Sequence, residues 1–262
     1  MLPVFNGLLE TFLASGILAF ILTFVRMGTA VMIMPGLGDS FVPERLRLMI
    51  ALGLSFVLCP LTFKYMPAQV PGTFTLLMLI MMEFIIGLFF GTVARIFMTA
   101  LDTAGMVISI SSGLGNAQVF NPSLATQGSL VGAFLSITGV LFLFATDLHH
   151  LLIAGLVESY ELFPVGAVPD SGSMAEFLAR TVSASFAIGV KIGAPFIVLT
   201  MLIYVGMGVL SRLMPQIQVF LLALPLQILL SILTLMLVMS AIFIYWTTQF
   251  EEGMVFFLKA AG

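Results

Sequence analysis

The side chains best placed to do chemistry are few. Arg26, Glu83, Arg95 and Lys191 stand within or beside long apolar runs, and Arg212 sits at a bend between two runs. A charge at the centre of a membrane helix costs about 2.5–3.5 kcal/mol on insertion scales, so each should face protein or water and have a partner. Two readings stay open: a proton relay, or salt bridges between helices or subunits. A relay would cluster carboxylates, whereas Glu83 is the one carboxylate deep in a run. The expectation is that Glu83 pairs with Arg26 or with a partner chain.

Other chemistry falls away on spacing. Asp147-Leu148-His149-His150 contains both histidines. Adjacent histidines should point to different sides of a helix or strand, and no second His or Cys group completes a metal site. No metal and no cofactor are expected. Cys59 is the single cysteine, so it forms no intramolecular disulfide and should pack as a small hydrophobe. There is no Ser–His or Glu–His constellation for a membrane protease. A Walker-type phosphate loop is also missing, and the chain reads as a non-enzyme.

The elements that must position these charges are membrane helices. Of 262 residues, 61 % are hydrophobic and 8 % charged, against about a quarter charged in soluble proteins. Mean hydropathy is +1.22, and apolar runs of around 20 residues recur. The fold class is all-α, a polytopic membrane protein. A net charge of −3 without a basic patch gives no reason to expect nucleic acid. The N-terminus lacks a basic region and a small-residue cleavage site, so the first run is expected to be retained.

Six spans are predicted, at about 11–33, 46–63, 73–100, 128–146, 181–209 and 217–246. A Pro/Gly-rich connection, 34–46, follows the first. A longer acidic connection, 147–180, follows the fourth, with a turn at Pro164-Val165-Gly166. Pro195 lies in span five and Pro225 in span six, so the late segments are expected to be kinked or folded as a hairpin. Arg45, Arg47, Arg95 and Arg212 fall on one side of this topology, and the acidic connection and Glu251-Glu252 on the other. The positive-inside rule then puts both termini outside. Gly87-x-x-x-Gly91 marks span three as a tightly packed inner helix. Most of the 18 Met read as buried, with a deformable gasket as a further role.

One stretch, 102–132, does not read as a span. It holds Gly105, Gly113, Gly115, Gly128 and Gly132 with several amides and hydroxyls, and carries no charge after Asp102. Irregular backbone between spans is tolerated where it is buried in protein or lines a cavity. The stretch therefore reads as a re-entrant or pore-lining loop between segments three and four.

Taken together, these pieces resemble a known family, the FliR/SctT family, which is the R component of bacterial type III export gates. They are Arg26 followed by Pro35, Val42-Pro43-x-Arg45, Glu83-x-x-x-Gly87-x-x-x-Gly91 and Asp102-x-x-Gly105. The series continues with Gly113-Leu114, Phe120-Asn121-Pro122, Leu156-x-x-Ser159, Pro164-x-Gly166 and Arg212-x-x-Pro215-Gln216-x-x-x-Phe220 with Pro225. Met-rich character and Phe120-Asn121-Pro122 look more flagellar than virulence-type. The resemblance implies one R subunit completing a helical ring of several P-type and a few Q-type subunits. It implies a single integral membrane domain, with a first half (1–132) that looks P-type and a second half (133–262) that looks Q-type. The central loop would then be a pore plug made of Gly113, Leu114, Gly115, Asn116, Ala117, Gln118, Val119, Phe120, Asn121 and Pro122. Arg26, Glu83, Arg95, Lys191 and Arg212 would serve assembly as buried charges. The implied partners are P-type and Q-type gate subunits, a B-type switch protein, exported rod and other flagellar proteins, and the lipid membrane. The implied place is the flagellar basal body in the bacterial inner membrane, with some segments raised above the lipid. A small-molecule or ion permease is the competing class. It would call for an inverted internal repeat, and no convincing repeat of the 73–132 pattern is present.

Overall fold

The computed structural model describes the backbone of residues 2–67, 71–115, 129–214 and 219–259, and side chains over 15–67, 71–115, 129–214 and 223–255. Within these residues every regular element is a helix: α1 (Leu2–Ile33), α2 (Glu44–Thr62), a 3₁₀ turn (Phe63–Tyr65), α3 (Thr73–Ser111), α4 (Leu130–Ala145), α5 (Leu148–Leu162), α6 (Ser171–Leu213) and α7 (Val219–Lys259). Among them, five helices are long and apolar enough to cross a membrane, or six if the bent pair α4–α5 counts as one span. The chain is a polytopic α-helical membrane protein.

Local chemistry accounts for most helix ends. Pro43 precedes α2, and Glu44 places an acid in its first turn. Ser129 caps α4, its hydroxyl accepting from the Gly132 amide at 3.2 Å. Asp170 does the same for α6, accepting from the amides of Gly172 and Ser173 at 3.2 Å each. The expected turn at 164–166 is present, with Gly166 at φ 87° and Ala167 N donating to Pro164 O.

Three boundaries differ from the sequence reading. The acidic stretch 147–180 is mostly helix, because Leu148, Leu152, Leu156 and Tyr160 form a buried stripe at four-residue spacing. Residues 102–111 continue α3, and 130–132 already belong to α4. Pro225 lies inside a single helix, α7, so no hairpin forms there; Pro195 likewise lies inside α6.

The chain forms two compact units. One comprises 1–95, 147–179 and 251–262. In it α1 packs on the first part of α3. A Cβ on Gly87 would lie 2.4 Å from Arg26 O, and one on Gly91 would lie 3.0 Å from Ala30 O. The other unit comprises 96–146 and 180–250. There the rest of α3 meets α4 where a Cβ on Gly105 would fall 2.1 Å from Gly132 Cα. It meets α6 at Gly189 and Gly193, whose Cβ positions would lie 2.8 Å and 2.5 Å from Thr103 and Val107 side chains. Phe142 stacks on Phe243 at 4.4 Å, and the buried Trp246 donates from Nε1 to Phe97 O at 3.0 Å.

Candidate functional site

The close approach at Gly87 sets the first site. It places Arg26 of α1 against Glu83 of α3, and both side chains are wholly buried. The guanidinium forms a two-pronged bond to the carboxylate, Nε to Oε2 at 2.5 Å and Nη2 to Oε1 at 2.9 Å. Its remaining donors reach α5 and the residue after it: Nη1 to Ser159 Oγ at 3.2 Å and Nη2 to Phe163 O at 2.9 Å. The Tyr160 ring lies under the guanidinium, 3.7 Å from its centre. Each charge is neutralised and the cation has an aromatic face, which is the condition for holding an ion pair in a low-dielectric interior. The arrangement ties three helices to one point.

A second ion pair joins Arg95, near the middle of α3, to Asp39 in the connection before α2. Asp39 organises that connection. Its other carboxylate oxygen accepts from Gly36 N at 2.8 Å, and its carbonyl accepts from Arg47 Nη2 at 2.9 Å. The remaining charged candidates, Lys191 and Arg212, are exposed on α6 and make no ion pair among the described residues.

The central stretch leaves α3 through an ordered exit. Ser112 Oγ donates to Ser109 O, Gly113 takes the left-handed φ of 78°, and Gly115 N reaches back to Ser109 O at 2.9 Å. Gly113, Leu114 and Gly115 are half-buried. Asn116, Ala117, Gln118, Val119, Phe120, Asn121 and Pro122 lie outside the described residues.

Comparison with known proteins gives this geometry its context. A family described as bacterial export proteins, family 1, matches residues 17–253. The chain belongs to this family. Flagellar biosynthetic protein FliR of Caulobacter vibrioides is 40 % identical over 234 residues, covering 88 % of this chain and 92 % of that protein. FliR of Bacillus subtilis is 30 % identical over 231 residues, 86 % and 88 % of the two chains. Yop proteins translocation protein T of Yersinia pestis is 32 % identical over 156 residues, 59 % and 60 %.

The match to the bacterial export family covers both ion pairs, the α3 exit and the whole central stretch. Sequence reasoning missed several residues that build these sites. Asp39 lies in the Pro/Gly-rich connection 34–46, where the sequence signals only a turn, although an acid among glycines before a helix is a common backbone organiser. Gly189-x-x-x-Gly193 repeats the spacing that was read at Gly87 and Gly91. The histidine geometry also differs from expectation. The rings of His149 and His150 are 4.1 Å apart, and with Asp147 they bring three potential ligand atoms within 4.8 Å. Asp147 and His150 are exposed.

Proposed function

We propose that this chain is the R-type subunit of a flagellar type III protein export gate. Near-full-length likeness to flagellar FliR proteins carries this reading. The chain would complete a pore with P-type and Q-type subunits in the bacterial inner membrane at the basal body. A B-type switch protein would dock on that pore, and unfolded rod and later flagellar subunits would pass through it. The chain itself performs no chemistry in this role. Residues Gly113 to Pro122 form the plug, the ion pair of Arg26 and Glu83 holds the scaffold that carries it, and Lys191 and Arg212 meet partner subunits. A first half, 1–132, and a second half, 133–262, correspond to the two partner types. The uncharged, glycine-bearing exit from α3 supports the plug role, because glycine permits the turn and Leu114 can seal by hydrophobic constriction.

Deletion of 113–121, scored for assembly, export and ion leak, tests the plug. A variant that assembles and makes the membrane leaky supports it. One that assembles and leaves the membrane tight moves the seal elsewhere. The partial likeness to Yersinia translocation protein T favours a second reading, the R-type subunit of a virulence secretion system. Restoration of motility in a strain lacking its flagellar R subunit separates the two.

A further inference from the structure

The last turn of α3 is held by residues that neither the ion pairs nor the central stretch explain. A helix leaves its final four carbonyls without partners inside the helix, and away from water each must find one elsewhere. The chain's next residues supply three. Ser112 N donates to Ile108 O at 2.8 Å, Gly115 N to Ser109 O at 2.9 Å, and Gly113 N to Ile110 O at 3.3 Å. The fourth, Ser111 O, is met from two other helices of the same unit. Thr200 Oγ1 on α6 donates to it at 2.6 Å, and Gln227 Nε2 on α7 donates at 2.5 Å. Both donors are buried, at 8 % and 2 % exposure.

The Thr200 bond is a choice among alternatives. A helical threonine commonly bonds a carbonyl of its own preceding turn, as Thr29, Thr138 and Thr234 do here. Thr200 instead reaches across to α3. A buried amide such as Gln227 is costly unless bonded, and one of its N–H donors goes to the same atom. Two residues beyond Ser111, Gly113 turns the chain out of the helix.

We propose that Thr200 and Gln227 are positioning residues that clamp the final carbonyl of α3 and so fix where the central stretch departs. A carbonyl has two lone pairs, so either donor alone keeps it satisfied. Only loss of both frees the end of the helix. The clamp stands on its own geometry; its consequence for sealing rests on the plug reading above.

The test uses the assembled gate complex carrying Cys59→Ser and Leu114→Cys, labelled with a membrane-impermeant maleimide. Thr200→Val or Gln227→Met alone should change the labelling rate by less than about two-fold. The double variant should raise it about ten-fold or more, a coupling of the size seen between residues that share a partner. Replacing Val with Ser at position 200 in the double variant should restore the rate. A double variant that labels at the parental rate, or whose effect is the product of the two single effects, overturns the clamp. Thr200→Val with Gln227→Asn, which keeps a buried amide but shortens it, should also label faster, and parental labelling by it likewise refutes the proposal. Ion leak is read in parallel for the same position-200 and position-227 variants with Leu114 unchanged. Faster labelling with a tight membrane upholds the clamp and removes the plug; faster labelling with a leak upholds both.

Discussion

Glu83→Gln removes one half of an ion pair with no access to water and leaves the Arg26 guanidinium uncompensated. Breaking a buried pair this way costs about 3–5 kcal/mol, whereas replacing both partners with apolar residues of similar volume is often neutral. The thermal midpoint of the purified complex should therefore fall sharply for Glu83→Gln and largely recover for Arg26→Met with Glu83→Leu. Equal loss in the single and double variants would mean the charges themselves are required. Asp170 offers a smaller test in water. Its carboxyl is held below the usual carboxylate range by donation from the Ser173 hydroxyl, then the Gly172 and Ser173 amides. A depressed folded value stabilises the first turn of α6 above the unfolded value, and that contribution fades as pH falls through the folded one. Protection at Ser173 and Met174, taken relative to the intrinsic exchange rate at each pH, should fall in acid, and less so in Asp170→Ala. At this scale the sequence was partly legible. Arg26 and Glu83 stood out because charge is conspicuous in apolar runs. Ser159 entered only as part of the family pattern, and Tyr160 and Phe163 not at all, since they arrive from more than a hundred residues beyond Arg26 and look ordinary in place.

Glycines carry the element-scale account. In 102–132 they read as signs of irregular backbone, yet Gly105 and Gly132 are helical and let α3 and α4 touch. Sequence alone cannot separate a glycine chosen for its φ from one chosen for its missing side chain, and only Gly113 here is of the first kind among the described part of that stretch. Gly105→Ala should cost about 1–3 kcal/mol through overpacking, because backbone rather than a movable side chain blocks the new Cβ. Gly206→Ala in α6 is the control within this chain, none of whose other atoms lies within 4 Å of its Cβ position. There the gain in helix propensity should be about 0.5–1 kcal/mol. Thermal midpoints of the two variant complexes should move in opposite directions. The same reasoning explains the missed helix α5, whose acidic residues masked a four-residue apolar stripe.

Helix α6 exposes apolar side chains along more length than one perpendicular hydrocarbon crossing covers. The 43 residues of α6 and the 41 of α7 make roughly 60 Å of helix each at 1.5 Å per residue, twice a hydrocarbon core of about 30 Å. Apolar side chains nonetheless remain exposed far along α6, among them Val182, Phe186, Met201, Leu202, Val205 and Leu213. Whatever part lies beyond the hydrocarbon must be covered by protein, since exposed apolar patches of this extent mark interaction surfaces. Hydropathy made these segments plain but could not say which neighbour they face. The exposed Lys191 sharpens the point, because a cation on such a surface needs a counter-charge or water. On the proposed function, the chain expressed alone should be degraded or aggregate, and expressed with P-type and Q-type subunits it should be recovered in a stable complex. Lys191→Glu should lower that recovery several-fold while Lys191→Arg leaves it intact. Quantitative capture on an affinity-tagged P-type subunit reads all three. Equal recovery of the Glu and Arg variants would place Lys191 in water rather than at an interface.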